Sequence, residues 1–163
     1  MNLHHETVEN IINLLRKCHD TVAFAESCTG GRIAAAFTSV AGASDVFDGS
    51  VVSYANAIKT RWLGVRAETL AQHGAVSREC VQEMLSGISE MAEAGFAVAV
   101  SGIAGPTGGT PSKPVGTVYI GIRSPKTETI HHCQFDGDRE AIQEQSVTFA
   151  LAHLAEVMAD CYA

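Results

Sequence analysis

A short apolar segment followed directly by small polar residues constrains the fold of this chain more than any other stretch. Thr21 to Ala25 is too short for a globular helix and has the length of a buried strand. The turn 26–31 follows, and then an alanine-rich segment from about Gly30 to Val40 with apolar residues at helical spacing. A strand, a tight turn and a helix in this order indicate an α/β fold. The turn can aim hydroxyl and backbone N–H groups at an anion or oxyanion, although Ser, Thr and Gly also simply cap helices.

The remaining chain continues this alternation. Phe96 to Val100 is a continuous apolar run, which is typical of a central strand covered on both faces. Further strands are predicted over 50–54, 115–122 and 127–135. A first helix is predicted to end at about 18–20, a short helix capped by Asn56 contains Lys59, Trp62 and Leu63, and one turn is predicted over 68–70. Two further helices follow Ser77 as N-cap and run from about Arg139 to Cys161. We therefore predict one three-layer α/β/α domain over residues 1–163, with a largely parallel sheet and an antiparallel hairpin near its end.

Composition and charge exclude several classes of function. Hydrophobic residues make up 46% and charged residues 18% of the chain, which favours a folded globule over a disordered segment. The net charge of −7 and the lack of a basic run argue against nucleic-acid binding. No apolar run approaches the roughly 20 residues of a membrane helix, and no signal peptide is recognisable. The five scattered cysteines contain no CxxC pair and indicate reduced thiols, so we expect a cytoplasmic protein. The histidines lack metal-ligand spacing, and we expect neither a metal nor a cofactor.

Three loops follow predicted strands, and ligands of open α/β sheets bind beyond the carboxyl ends of strands. These loops are 26–31, 55–59 and 101–114. The last is long and Gly- and Pro-rich, as many flexible surface turns are, but it directly follows the most apolar strand. Its glycines would let the backbone approach a ligand, and Lys113 adds a positive charge. No Walker A or GxGxxG pattern is present, so we interpret 101–114 as a binding loop of another kind.

Ser44 and Lys59 form a candidate catalytic pair. In one interpretation Ser44 caps a turn that begins at Asp45, and Lys59 is an exposed helix residue. In the other, Lys59 takes the proton of Ser44 while the hydroxyl attacks a carbonyl carbon. An ordinary lysine has a pKa near 10.4, so only about one molecule in 2,500 would carry a neutral base at pH 7. Burial beside Ile58 and Trp62, and a position in the first turn of a helix, would both lower that pKa.

Three further residues have two interpretations each. Tyr54 is either a strand-end aromatic that packs its ring or a hydroxyl donor at the mouth of the site. Arg139 is either a solvated charge or a group that binds a carboxylate or phosphate. Glu26 either orients Lys59 or caps its own turn.

Several separated motifs together resemble one known family, the C-terminal domain of CinA proteins. The motifs are AESCTGG (25–31), GASDVFDGSVVSYANAIKTRWLGV (42–65), AVSREC (75–80), AVSGIAGPTGG (99–109), KPVGTVYIGI (113–122) and FDGDRE (135–140). They occur in the order of the family and cover nearly everything from Thr21 to the last helix. No match to the N-terminal domain of full-length CinA is present, so we expect the stand-alone form, a nicotinamide-nucleotide amidohydrolase.

The resemblance implies a fold, an activity and site residues. The expected fold is a three-layer α/β domain with a mixed five-stranded sheet, generally dimeric. The expected reaction converts nicotinamide mononucleotide to nicotinate mononucleotide and ammonia in NAD salvage. The resemblance makes Ser44 the nucleophile, Lys59 the base and Ser27 an intervening hydroxyl, with Ser27 as the alternative nucleophile. It also makes Tyr54 and Arg139 substrate-positioning residues and implies that the loop with Gly102, Ala104, Gly105, Gly108 and Gly109 contacts the nucleotide. We further expect Glu26, Thr29, Gly30, Gly31 and Lys113 at the substrate site, with backbone N–H groups near Thr29 and Gly30 holding the oxyanion.

Two other functions remain compatible with the sequence. One is a catalytically silent CinA-like module that binds nucleotides or regulates a partner, although such a module has no need of both a serine and a lysine. The other is an amidase or esterase that acts on a different nucleotide or pyridine compound.

Overall fold

Strands and helices alternate through most of the chain in the computed structural model, which describes residues 3–162. The strands are β1 Val22–Glu26, β2 Phe47–Val52, β3 Phe96–Gly102, β4 Thr117–Arg123 and β5 Glu128–Gln134. The helices are α1 His5–Cys18, α2 Arg32–Thr38, α3 Asn56–Leu63, α4 Ala67–His73, α5 Arg78–Ala92 and α6 Arg139–Cys161, and a 3₁₀ turn spans Ala43–Asp45. The prediction of an α/β chain with these alternating elements is confirmed.

The five strands form one mixed sheet in the order β2-β1-β3-β4-β5. Strand β1 pairs in parallel with β2 and β3, whereas β4 is antiparallel to both β3 and β5. Four strands therefore point in one direction, and their carboxyl ends share one edge of the sheet. The segments that leave β1, β2 and β3 at this edge are the three loops that the sequence singled out.

Helices cover both faces of the sheet, and the alternation of side chains along each strand assigns residues to them. Val22 and Phe24 of β1 pack in the core with α1, α2 and α6. Ala23 and Ala25 pack in a second core with α5. The predicted three-layer α/β/α arrangement is confirmed, and the same alternation sends Glu26 and Ser27 to opposite faces.

Two predicted elements have different bounds. Strand β2 spans Phe47 to Val52 and so starts earlier than predicted. The Phe47 ring packs against Phe24 and Phe37 at centroid distances of 5.2 and 5.5 Å, which holds the start of the strand in the core. Asp48 and Gly49, which are rare in strands, obscured this start. The single turn predicted at 68–70 is helix α4. No helix in residues 3–162 is long and apolar enough to cross a membrane.

Candidate active site

The side chains of Ser27 and Lys59 meet at the carboxyl edge of the sheet. Ser27 directly follows β1 and extends the ladder, since its N–H donates to the Val100 carbonyl oxygen at 3.1 Å. Lys59 lies in the first turn of α3, and its Nζ donates to Ser27 Oγ at 3.0 Å and to the Tyr54 carbonyl oxygen at 2.8 Å. A buried amine is therefore held within hydrogen-bond distance of a buried hydroxyl.

Lys59 is only 1% exposed, and no carboxylate of residues 3–162 forms an ion pair with it. Burial lowers its pKa below the ordinary value, because removing the ammonium from water disfavours the charged form. The nearby thiols of Cys28 and Cys80 would oppose this effect only as thiolates. Burial raises their pKa values to about 12 and about 11, so both thiols are protonated at neutral pH. Lys59 thus has neutral neighbours and an increased fraction of free amine.

The predicted Ser44–Lys59 pair is wrong. Ser44 is exposed and lies in the 3₁₀ turn that precedes β2, whereas Lys59 follows the carboxyl end of β2. The six residues of β2 separate the two positions by roughly 20 Å at the usual rise per strand residue. The neighbouring Asp45 pairs with Arg16 of α1 at 2.6 Å, which holds this turn at the opposite edge of the sheet. Ser44 does not cap the turn either, since Gly42 occupies the N-cap position.

Glu26 caps its own turn and does not orient Lys59. Its Oε1 accepts hydrogen bonds from Thr29 Oγ1 at 2.8 Å and from the Ile33 N–H at 2.9 Å. Its Oε2 accepts from the Ala34 N–H at 3.1 Å and from Ser50 Oγ at 3.0 Å. The Glu26 and Thr29 side chains are both fully buried and bonded to each other on the face opposite Lys59, so the predicted substrate-binding role of Glu26 is wrong, and a contact from Thr29 can come only from its backbone.

Two backbone carbonyl groups fix the conformation of the turn after Ser27, because each accepts a hydrogen bond. The Ser27 carbonyl oxygen accepts from the Gly30 N–H at 3.0 Å, and the Cys28 carbonyl oxygen accepts from Gln143 Nε2 at 2.9 Å. Gly30 and Gly31 have φ angles of 56° and 94°, which side-chain-bearing residues rarely adopt. They shape the turn and do not line the cleft. Within residues 3–162, the N–H groups of Cys28 and Thr29 donate to no backbone acceptor.

Tyr54 and Arg139 join at the mouth of the site. Arg139, the first residue of α6, donates from Nη2 to Tyr54 Oη at 3.0 Å and from Nη1 to the Gly105 carbonyl oxygen at 2.6 Å. The Tyr54 side chain is largely exposed, with a residue exposure of 59%. The structure thus brings three of the predicted substrate-contacting residues together beside Ser27 and Lys59.

The predicted binding loop 101–114 contributes to the site only near its start. Gly102 and Ala104 line the cleft, but Gly108 and Gly109 do not. Gly109 packs so closely on the Val115 backbone that a Cβ atom there would lie 2.8 Å from Val115 N, so the loop folds back on itself. Lys113 Nζ donates to the His73 carbonyl oxygen at 2.6 Å, which ties it to the end of α4. The predicted site roles of Gly108, Gly109 and Lys113 receive no support from this geometry.

A cleft with a volume of about 180 Å³ contains the site. Its lining residues are Ser27, Cys28, Tyr54, Asn56, Lys59, Ala75, Val76, Ser101, Gly102, Ala104 and Arg139. Ser101 was missed as an individual site residue, yet the register that pairs Ala25 with Ala99 predicts that it lies beside Ser27 on the same face. No group of three or more His, Cys, Asp and Glu side chains in residues 3–162 has the geometry of a metal site.

Comparisons with known proteins identify relatives of the whole chain. A sequence model described as the CinA C-terminal domain matches residues 4–158. CinA-like proteins of Thermotoga neapolitana and Thermotoga maritima are 49% and 48% identical over 146 and 150 residues, covering 90% and 92% of this chain. The chain spans 36% of the length of each. The crystal structure of competence damage-inducible protein A from Klebsiella pneumoniae has a TM-score of 0.91 and 42% identity, covering 95% of this chain and 96% of that one.

Proposed function

Since this chain belongs to the CinA C-terminal domain family, we propose that it hydrolyses the carboxamide of nicotinamide mononucleotide to nicotinate mononucleotide and ammonia. The observation that carries the proposal is the contact of 3.0 Å between Lys59 Nζ and Ser27 Oγ. Burial without a counter-ion increases the fraction of free lysine amine at neutral pH, and this amine can accept the proton of a serine hydroxyl and so activate the nucleophile. The nucleotide substrate is suggested by the sequence resemblance to stand-alone members of the family.

Ser27 is the nucleophile in this proposal. The neutral Lys59 amine removes the Ser27 proton while Oγ forms a bond to the carboxamide carbon, and the carbonyl oxygen becomes an oxyanion. The N–H groups of Cys28 and Thr29 are the donors for this oxyanion, because they directly follow Ser27 and have no other backbone acceptor among the described residues.

The second half of the reaction returns the enzyme to its starting state. The Lys59 ammonium donates its proton to the leaving nitrogen, the carbon–nitrogen bond breaks, and ammonia departs. Lys59, again neutral, then removes a proton from water as the water oxygen attacks the acyl carbon. The bond between Ser27 Oγ and the acyl carbon breaks as the Lys59 ammonium returns its proton to Oγ, and the product leaves as a carboxylate after its acid proton passes to solvent. The Tyr54 carbonyl oxygen accepts from Lys59 Nζ throughout and keeps the amine directed at Ser27.

The size and charge of the cleft support a pyridine nucleotide. Pockets that enclose drug-sized ligands have volumes of about 300–1,000 Å³, so a cleft of about 180 Å³ suits the pyridine ring and leaves the ribose phosphate at the mouth. Arg139 lies at that mouth and can bind a phosphate through its guanidinium group. The Ser101 hydroxyl, beside Ser27 in the sheet register, is available to the carboxamide.

An assay of ammonia release tests the proposal. The purified chain is incubated with nicotinamide mononucleotide, nicotinamide riboside or nicotinamide, and both ammonia and the carboxylate product are quantified. We expect activity with the mononucleotide alone, or far above that with the other two. No release from the mononucleotide would refute the substrate assignment and favour a silent module. Equal activity on nicotinamide would refute the role of the phosphate.

The Arg139→Ala variant tests the mouth of the cleft. We expect its KM for the mononucleotide to rise about tenfold with little change in kcat, since a phosphate contact contributes equally to ground and transition states. An unchanged KM would leave Arg139 as a structural link between Tyr54 and Gly105.

A further inference from the structure

Gln143 is a buried polar side chain that connects α6 to the turn after Ser27. It is 6% exposed and lies in a helix face that otherwise packs apolar and small residues against the core. Burying an amide costs free energy unless its groups are hydrogen-bonded. The bond that Gln143 Nε2 makes is to the Cys28 carbonyl oxygen, across 115 residues of sequence.

This bond fixes the orientation of one peptide group. The Cys28 carbonyl and the Thr29 N–H belong to the same planar peptide and point in opposite directions. Because Gln143 holds the carbonyl toward α6, the Thr29 N–H points away from α6. The preceding peptide is held in the same manner, since the Ser27 carbonyl oxygen accepts from the Gly30 N–H. Two successive peptides beside Ser27 are therefore held by their carbonyl groups, and their N–H groups have no described backbone acceptor.

We propose that Gln143 is a positioning residue that orients the Cys28–Thr29 peptide, so that the Thr29 N–H binds the oxyanion formed when Ser27 attacks its substrate. The inference rests on the proposed function, because it requires Ser27 as the nucleophile. Gln143 does not itself touch the reacting atoms. Gln143 should therefore affect kcat, because the oxyanion exists only in the transition state. It should not affect the binding of a planar carboxamide or carboxylate.

The test compares Gln143→Met with Ser146→Ala. Methionine keeps the length of glutamine and removes the N–H donor. Ser146 is a matched control, because it is fully buried one turn further along α6 and its Oγ donates to the Ile142 carbonyl oxygen within the same helix. Each variant is measured for kcat and KM on nicotinamide mononucleotide, for affinity for nicotinate mononucleotide, and for affinity for pyridine-3-boronic acid. The boronic acid forms a tetrahedral anionic adduct with a serine oxygen and therefore needs the oxyanion donors.

Loss of an oxyanion donor lowers kcat by about 10²–10³, and misorientation should cost less, so we expect Gln143→Met to lower kcat about 10- to 100-fold. Affinity for the boronic acid should fall in parallel, while KM and affinity for the carboxylate product change less than about twofold. Ser146→Ala should change none of these. An unchanged kcat, or equal losses of product and boronate affinity, would overturn the inference.

The boronic acid separates this inference from the proposed function. If the wild-type protein forms a Ser27 boronate adduct but does not hydrolyse the mononucleotide, the substrate assignment fails, and boronate affinity in Gln143→Met still decides the positioning role. If the wild-type protein forms no adduct, both the inference and the nucleophile assignment fail.

Discussion

Glu26 and Lys59 are both buried ionisable residues at the carboxyl edge of the sheet, but their surroundings differ completely. Glu26 accepts four hydrogen bonds, two from backbone N–H groups of α2 and two from hydroxyl groups. Lys59 contacts two neutral oxygens and no carboxylate among the described residues. A charge with every lone pair satisfied stabilises a fold, whereas a buried amine without a counter-ion is costly and is typical of a functional site. The contacts of Glu26 are those of a structural residue, whereas the surroundings of Lys59 support the chemical role proposed for it.

The largest expected effect is on turnover. We expect Ser27→Ala and Lys59→Met each to lower kcat for the mononucleotide at least about 10³-fold, as the loss of a nucleophile or its base does. Ser44→Ala is the control, because Ser44 is exposed at the opposite edge of the sheet, and its kcat should stay within about twofold of wild type. Steady-state kinetics decide the outcome. Near-normal turnover in Ser27→Ala would show that Ser27 is not the nucleophile and would contradict the proposed Ser27–Lys59 pair.

The next largest effect is on stability at Glu26. Removing the carboxylate leaves buried donors without acceptors, so Glu26→Ala should lower the free energy of unfolding by about 3 kcal/mol. For a chain of this size that corresponds to a decrease in Tm of roughly 6–12 °C. Glu26→Gln should cost less, because its amide oxygen still accepts two of the four bonds. Thermal unfolding followed by circular dichroism measures both. A Tm unchanged in Glu26→Ala would contradict the structural role.

The two residues also show what the sequence could and could not predict. Alternation along β1 is predictable from the sequence and places Glu26 and Ser27 on opposite faces, but rejecting an orienting role for Glu26 also requires the face on which Lys59 lies, which only the structure gives. The strand–turn–helix around Ser27 and the helix that carries Lys59 were both predicted. Their contact was expected only from the family resemblance, which made Ser27 an intervening hydroxyl or alternative nucleophile beside Lys59. Residue spacing alone did not predict it, because it depends on which loops share an edge of the sheet.

The position of Ser44 likewise depends on how the strands pair. It precedes β2, and a parallel pairing of β2 with β1 sends it to the amino edge, far from Ser27. The resemblance matched Ser44 by motif and carried no information about distance. Gln143 was not predicted, since one polar residue in a long helix resembles a surface position until the packing of the helix on the sheet is known.

The pH dependence of activity tests whether Glu26 and Lys59 act independently. In the proposed mechanism the free amine of Lys59 is the base, and burial lowers its pKa, so kcat/KM should be flat above that pKa and decrease about tenfold per pH unit below it. Glu26→Gln should leave the midpoint of this profile unchanged, since the carboxylate does not contact Lys59. A midpoint that shifts with Glu26→Gln would show that the two groups are coupled and would remove the distinction between their roles.

The smallest expected effect is a gain in stability when Lys59 is replaced by methionine. The folded protein holds Lys59 with a lowered pKa, whereas the unfolded chain protonates it up to about pH 10.4, so the unfolded state binds more protons between these two values. The free energy of unfolding of the wild type therefore increases with pH from the lowered pKa of folded Lys59 up to about pH 10.4. Burial of the amine destabilises the folded state most at and below the lowered pKa.

Methionine does not titrate and suits a buried position, so Lys59→Met should raise Tm by roughly 2–6 °C at pH 7 while abolishing activity. The difference from wild type should shrink as the pH approaches 10.4. Thermal unfolding of both proteins from pH 6 to pH 10 measures this convergence. A variant that is less stable than wild type at every pH would mean that the hydrogen bonds of Lys59 outweigh its desolvation, and Lys59 would then belong with Glu26 among the residues that hold the fold together.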